Sequence, residues 1–492
     1  MALLAGLVFI VYSICIVLIG LYCLSQLYLL YSYLRFWKNK KISIPPAELD
    51  DNLPAITIQL PIYNEKYVVE RLIDSITALQ YPISKLQIQI LDDSDDDTIE
   101  ISKLKVAEYQ NKGFDIVLIN RKERTGFKAG ALKYGMETAK SEFIAVFDAD
   151  FIPDSDFLLR VIPYFEDSQV GVVQTRWEHL NQKYNFLTQL QAIQLNVHFT
   201  IEQTGRMASH YLLQFNGTAG IWRKTTIIDA GGWQSDTLTE DLDLSYRAQF
   251  KNWKIKFLEE IGAPAELPVE MIGLKSQQFR WMKGGAECAK KLTGPLWKSD
   301  LSFGQKIMGT AHLLASSIFV LVFLTGTISI FLFFFNHLID YDLSLFRYSM
   351  LSWAIIILVY YAANFNTRIA VNPTFKDYLI FLIRFPAFLT LSMGLSFHNS
   401  IAVWEGFTGK KSSFIRTPKY DIKASKINLH SLAYLSHKIP VSTWFEIILG
   451  IIFIVMFVVT FVAGYYYSLI IYLMLGIGYL VIGIISIIDS YR

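Results

Sequence analysis

The sequence predicts an α/β domain with a mostly parallel sheet, inserted between transmembrane α-helices. Three observations predict it. The 492 residues are 53% hydrophobic, 15% aromatic and only 18% charged, more apolar than an ordinary soluble chain. That excess gathers at the two ends and leaves residues 42–304 with Asp, Glu, Lys and Arg throughout. Within this middle stretch short β-rich runs alternate with amphipathic ones, the pattern of strands covered by helices.

Residues 3–34 form the first apolar run. It is too long for a signal-peptide core and lacks an evident small-residue cleavage site, so 1–41 reads as a retained transmembrane anchor. Arg35, Lys38, Lys40 and Lys41 follow at once. Basic residues beside a span favour the cytoplasm, which places 42–304 in the cytosol and the N-terminus outside. In that domain 56–60, 87–91, 114–119, 143–147 and 170–175 read as strands. The remaining segment, 305–492, holds four runs of span length at 310–335, 349–366, 443–463 and 466–488, with Asp340-Tyr341-Asp342 in an outside loop. A further run, 378–402, contains Arg384 and Pro386 and precedes a basic loop, 406–438. A full crossing would put that loop outside, so 378–402 is expected to be a re-entrant or interfacial helix. The whole is a multi-pass protein of a plasma membrane or bacterial inner membrane.

Formal net charge is +2, and no basic stripe runs through the middle domain, so no nucleic acid is expected as a partner. Cys15 and Cys23 lie in the first apolar run and Cys288 stands far away. No disulfide framework is visible, which suits a cytosolic domain.

Four motifs stand in order: Leu91-Asp92-Asp93-Ser94, Asp148-Ala149-Asp150, Thr239-Glu240-Asp241 and Gln277-Gln278-Phe279-Arg280-Trp281. The first two fall at the carboxyl ends of strands, where parallel sheets bind ligands. In an extended segment the side chains of Asp148 and Asp150 address one side. Carboxylates suit Mg²⁺ or Mn²⁺, with substrate phosphates filling the other positions. An Asp-x-Asp alone is a weak signal, since most such pairs are turn residues or caps. Its place after an apolar strand singles this one out. Asp92, with Asp93 beside it, is placed to hydrogen-bond a base or ribose, whereas Asp96 and Asp97 read as caps of the next helix. Arg124-Thr125-Gly126-Phe127-Lys128-Ala129-Gly130 offers a cation and two glycines at a helix start, a diphosphate contact. Thr239-Glu240-Asp241 opens a helix, where acids are ordinary caps. The functional alternative makes Asp241 a general base toward an acceptor hydroxyl. Gln277, Arg280 and Trp281 share one helix face. Arg can pair with phosphate and Trp can stack on a sugar ring, the plainer alternative being an interfacial Trp beside a snorkelling Arg.

In this order the motifs closely resemble the signature of processive family-2 glycosyltransferases, over nearly the whole chain. That group holds the cellulose, chitin and hyaluronan synthases and the plant cellulose-synthase-like glucomannan synthases. Phe147-Asp148-Ala149-Asp150-Phe151-Ile152-Pro153, Gly126-Phe127-Lys128-Ala129-Gly130-Ala131-Leu132 and Phe215-Asn216-Gly217-Thr218 are most similar to the plant cellulose-synthase-like A and C branch and its bacterial relatives. The resemblance implies a GT-A (Rossmann-like) fold and inversion at the anomeric carbon. It implies Asp92 or Asp93 on the nucleotide, Asp148 and Asp150 on a divalent cation (Mg or Mn), and Asp241, beside Glu240, as the base. Lys128, Arg280 and Gln277 would face the diphosphate, and Trp281 with Phe215, Asn216, Gly217 and Thr218 the acceptor. Phe414-Ile415-Arg416-Thr417-Pro418-Lys419 resembles the gating loop Phe-x-Val-Thr-x-Lys of cellulose synthases, with Arg416 in place of valine. The plainer alternative gives Arg416 and Lys419 to anionic lipid headgroups. The implied activity is sugar transfer from UDP-glucose or GDP-mannose to a growing β-linked polysaccharide, coupled to translocation. Two alternatives stay open: addition of one sugar to a lipid acceptor, as in ceramide glucosyltransferases, and a non-catalytic transport or scaffold subunit. The expected partners are a nucleotide-sugar donor, a polysaccharide or lipid acceptor and membrane lipids; a homo-oligomer and export partners are left open.

Overall fold

The computed structural model describes residues 2–39, 52–335, 344–365, 373–411, 417–422 and 439–491. Seven strands build one sheet: β1 (Ile56–Ile62), β2 (Leu86–Asp92), β3 (Asp115–Ile119), β4 (Phe143–Val146), β5 (Val170–His179), β6 (Gly220–Arg223) and β7 (Lys254–Ala265). Their spatial order is β3-β2-β1-β4-β6-β5-β7. β1, β2, β3 and β4 pair in parallel, as do β5 and β7, while β6 runs antiparallel between β4 and β5. The five expected strands are present and the sheet is mostly parallel. β6 and β7 were not legible: β6 has only four residues, and β7 interrupts its apolar pattern with Lys256, Glu259 and Glu260.

Helices cover both faces, so the central strands are buried throughout. One face packs Ile58, Leu60, Ile88 and Ile90 against Val69, Leu72 and Ile73 of the helix Val69–Thr77. On the other, Thr57, Gln59, Gln87 and Gln89 point inward from β1 and β2 and bond one another, Gln59 Nε2 donating to Gln89 Oε1 at 2.9 Å. The helix Phe127–Thr138 crosses this polar ladder at Gly135, where a Cβ would stand 2.5 Å from Gln59 Nε2. That glycine brings the helix, and Lys128 at its start, close to the strand ends.

Among the described residues five helices are long and apolar enough to cross a membrane: Leu3–Asn39, Ala315–Phe335, Phe375–Gly394, Val441–Val462 and Leu469–Tyr491; Met350–Asn364 is a shorter apolar helix. The run 378–402, expected as a single helix, is two, Phe375–Gly394 and Ser396–Thr408. The first ends with Gly394 against Gly478 along the last helix, and the second ends with Gly406 against the backbone of Lys283. The two are joined by Leu395 alone, in right-handed helical geometry, and the pair packs on the last helix at one end and on the helix that carries Lys283 at the other. The helix Met271–Lys298, which carries the Gln-x-x-Arg-Trp motif, is fastened to the bundle by polar contacts. Asp489 accepts from the Met271 N–H at 2.8 Å, and Lys275 pairs with Glu446 at 2.8 Å and Lys283 with Glu405 at 3.3 Å, all buried or nearly so.

Candidate active site

The ends of β1, β2 and β4, the loop before β6 and the starts of two helices converge on one crevice. Asp148 and Asp150 follow β4 directly. Asp148 Oδ1 accepts from Lys128 Nζ at 2.5 Å, and Lys128 also donates to the Gly217 carbonyl at 2.9 Å. Asp150 is buried; its Oδ2 accepts from Lys419 Nζ at 2.5 Å and from the Glu266 N–H at 3.1 Å. Each carboxylate of the Asp-x-Asp pair therefore holds an ammonium as counter-charge. Thr218 is fully buried and its Oγ1 accepts from the Asp148 N–H at 2.8 Å, so it sets the strand end rather than meeting a ligand.

Asp241 opens the helix Glu240–Phe250. The Thr239 hydroxyl caps no N–H of that helix and instead contacts Cys288 Sγ at 3.3 Å, while Asp241 Oδ1 accepts from the Leu242 N–H at 2.8 Å, as acids in a first helical turn ordinarily do. Burial, with Glu240 adding to it against Lys128, pushes the Asp241 carboxyl up to about 7, and burial raises Glu240 as well. Against burial, Asp148 and Glu240 keep the Lys128 ammonium above its ordinary range. Gly217 lies over Asp241 and Lys128: its φ is +80°, and a Cβ there would stand 3.1 Å from Asp241 Oδ2 and 3.3 Å from Lys128 Nζ.

Asp92 is fully buried, one oxygen accepting from the Ser94 N–H at 2.9 Å and the other from Ser102 Oγ at 2.6 Å. It shapes the loop after β2 and offers no exposed oxygen to a nucleotide. Asp93 pairs with Arg121, which also holds the carbonyls of Thr125 and Phe127 at 2.8 and 3.0 Å. The Arg124 guanidinium stacks 3.3 Å from the Tyr63 ring centroid, a planar platform that the motifs did not reveal. Asp96 accepts from the Thr98 N–H at 2.9 Å, whereas the Asp97 side chain caps nothing.

Arg280 lies within the field of Asp148, Glu240, Glu65 and Asp150 and donates to Thr417 Oγ1 at 2.8 Å. Gln277 is half-buried on the same helix. Thr417 and Lys419 of the expected gating loop reach the crevice; Phe414 and Arg416 lie outside the described residues, as does most of 406–438. Segment 417–422 is clasped by Glu266, which accepts from the N–H groups of Tyr420 and Ile422 at 3.1 and 3.2 Å and pairs with Arg71 at 2.8 Å. The Tyr420 hydroxyl donates to Glu270 at 2.9 Å. No motif pointed to Arg71, Glu266 or Glu270, whose partners are far away in sequence.

Trp281 and Asn216 line a cavity of about 470 Å³ that begins at Thr239 and Asp241 and continues between the apolar helices past Tyr22, Trp353 and Ser392. Phe215 does not line it. It is fully buried, edge-on to Trp222 at 5.4 Å, and its expected place at the acceptor mouth is corrected to the core.

The donors available to a metal are the Asp148 and Asp150 carboxylates, and among the described residues no cluster of three or more His, Cys, Asp or Glu forms a complete cage. A divalent cation whose other ligands are diphosphate oxygens would fit these two carboxylates by taking the place of the Lys128 and Lys419 ammonium groups.

Residues 54–284 match the family described as "Glycosyltransferase like family 2". The chain is 40% identical over 272 residues to a probable glucomannan 4-β-mannosyltransferase 4 of Oryza sativa subsp. japonica, covering 54% of this chain and 49% of that protein. It is 39% identical over 251 residues to glucomannan 4-β-mannosyltransferase 1 of Cyamopsis tetragonoloba, covering 50% and 48%. The chain thus spans about half the length of these curated relatives. A solved mannosyltransferase, PcManGT from Pyrobaculum calidifontis in complex with GDP-Man and Mn²⁺, superimposes with a TM-score of 0.53 at 16% identity, over 82% of this chain and 100% of that one. The likeness shows the fold, which is GT-A. Residues 54–284 are a glycosyltransferase domain of family 2.

Proposed function

We propose that this protein is a membrane-embedded inverting glycosyltransferase that extends a β-linked polysaccharide from a cytosolic nucleotide sugar and passes the product between its own apolar helices. One observation carries the reading: Asp241, the candidate base, stands at the mouth of a cavity that continues from the catalytic domain into the helix bundle. The cavity wall mixes Trp177, Trp281, Trp353 and Tyr360 with Gln26, Gln194 and His198. Aromatic faces with scattered hydrogen-bonding groups suit sugar rings, and they stand here among aliphatic side chains such as Ile19, Val322 and Leu389.

The chemistry is a single displacement. The acceptor hydroxyl oxygen attacks the anomeric carbon from the side opposite the diphosphate, the carbon–oxygen bond to phosphate breaks, and the proton passes to the Asp241 carboxylate. With its pKa near 7, Asp241 is an effective base at neutral pH. Lys128, Arg280 and Lys419 supply positive charge where the leaving diphosphate gains negative charge. A divalent cation held by Asp148 and Asp150 would neutralise that charge further. Asp93, with Arg121, Arg124 and Tyr63, borders the nucleotide; Asp92 acts through the loop it holds. The relatives' name, 4-β-mannosyltransferase, favours GDP-mannose over UDP-glucose as donor. Basic residues after the first helix favour a cytosolic domain, and Phe375–Gly394 with Ser396–Thr408, joined through Leu395, is read as a re-entrant segment that returns Thr417 and Lys419 to that side.

The test is incubation of detergent-purified protein with radiolabelled GDP-mannose and, separately, UDP-glucose, with Mg²⁺ or Mn²⁺, sorting label into polymer and organic-extractable lipid. Label in polymer that disappears in Asp241→Asn is the expected result. Label in lipid alone would move the protein to glycolipid synthesis.

A further inference from the structure

The helix Phe186–Val197 does not stop at Val197. It passes through one π-helical turn, His198–Glu202, and continues as Gln203–Ala208. Such turns recur at functional sites because the extra residue re-aims the side chains that follow. Here His198, Glu202 and Arg206 reach the wall of the cavity that Asp241 and Trp281 also line. His198 uses both ring nitrogens, Nδ1 at 2.9 Å from Glu202 Oε2 and Nε2 at 2.9 Å from Asn216 Oδ1. Asn216 Oδ1 also accepts from Gln214 Nε2 at 2.8 Å, and Gln214 Oε1 stands 3.1 Å from His312 Nε2. Arg206 NH1 lies 3.5 Å from Glu202 Oε2. These side chains form one connected polar collar directly beyond the base.

Asn216 Nδ2 makes no hydrogen bond among the described residues although Asn216 is only 8% exposed, and Arg206, 4% exposed, holds Glu202 Oε2 from NH1 by charge at 3.5 Å without a hydrogen bond. A buried donor such as Asn216 Nδ2 needs a partner. An apolar occupant supplies none, whereas a sugar offers hydroxyl and ring oxygens to this donor and hydroxyl protons to Glu202. His198 and Glu202 are pinned by each other, so the collar is already ordered before a ligand arrives.

We propose that Glu202, Arg206 and Asn216, held in place by His198, form an acceptor subsite that reads the hydroxyls of the terminal sugar of a β-linked oligosaccharide and turns its nucleophilic O–H toward Asp241. His198 and Glu202 act as positioning residues for the reaction. The proposal rests on the polysaccharide reading above and names the groups that select its acceptor.

It is tested with full-length protein in detergent, radiolabelled GDP-mannose and soluble β-linked mannotetraose or cellotetraose as acceptor. Wild type is expected to extend an oligosaccharide. His198→Ala and Glu202→Gln should each raise the acceptor KM about tenfold, the loss of roughly one charge-assisted hydrogen bond, while the donor KM stays within twofold. Preference between the two tetraoses should narrow in the same variants. His198→Gln, which keeps a hydrogen-bonding group of similar reach, should recover part of the loss and serves if His198→Ala fails to fold. An acceptor KM and preference that do not move in folded Glu202→Gln and His198→Gln would overturn the subsite and leave the polysaccharide reading standing. So would a parallel rise of donor and acceptor KM. A wild-type protein that labels only lipid and no oligosaccharide would overturn the polysaccharide reading itself, and the subsite with it.

Discussion

In the proposed reaction, Asp241 is where burial is converted into reactivity. Its carboxyl takes up a proton near pH 7 rather than near the ordinary carboxylate value, and only the ionised form can accept the acceptor's proton. The turnover rate should therefore fall as pH drops through about 7, and a pH profile of polymer formation checks this. Asp241→Asn should lower turnover by about 10²- to 10⁴-fold, the usual share of a general base, while nucleotide binding measured by calorimetry persists. Gly217→Ala should cost at least about tenfold in turnover. A Cβ at that position meets Asp241 and Lys128, and its φ of +80° is costly for alanine. Asp148, Asp150 and Asp241 stood out in the sequence because each lies just past a strand or at a helix start, and Arg280 because helical spacing puts it on one face with Gln277 and Trp281. Phe215 and Thr218 were misplaced because sequence order does not tell which residue of a tight loop turns inward. Asp92 was a partial miss for a related reason: a residue still in the sheet is fully buried by its neighbours.

The helix Met271–Lys298 joins the two halves of the protein. Its start is capped by Asp489 and its first turns are tied to the bundle through the Lys275–Glu446 pair, whose side chains are 6% and 0% exposed. Removing one partner leaves a buried charge, so Glu446→Ala should destabilise the protein by about 3–5 kcal/mol. Replacing both, Lys275→Met with Glu446→Leu, should recover most of that loss, and thermal unfolding in one detergent compares the two. The segment 417–422 is held by Glu266 and Arg71. Glu266→Ala should loosen it, read as faster proteolytic cleavage between residues 411 and 439. None of these pairings was visible in the sequence, since Glu266 and Tyr420 or Lys275 and Glu446 meet only through the tertiary fold. The strands β1 to β5 were visible, β3, β4 and β5 as short apolar runs and β1 and β2 by Ile and Leu alternating with Thr57, Gln59, Gln87 and Gln89. β7 was hidden by charges that are either paired, like Glu259 with Tyr33 and Trp37, or at the sheet margin.

Over the whole molecule, the arrangement makes a path. In the proposed reaction the crevice at the strand ends receives the donor and Asp241 and Trp281 border the reacting sugar, and the cavity they line leads onward past Tyr22, Trp353 and Ser392. Apolar end segments and a charged middle announced the membrane architecture, but periodicity could not show that the two regions share one cavity. If product moves along it, a bulky side chain in the wall should shorten the polymer before it stops the chemistry. Ser392→Trp is expected to give short products, resolved by chain-length analysis, while the first transfers continue.

The most direct test places a photoreactive amino acid at position 392 and supplies radiolabelled GDP-mannose during synthesis, followed by illumination and digestion. Labelled polymer attached at position 392, dependent on an intact Asp241, is the predicted result. Abundant polymer with no label attached at 392 would contradict a product path through the helix bundle.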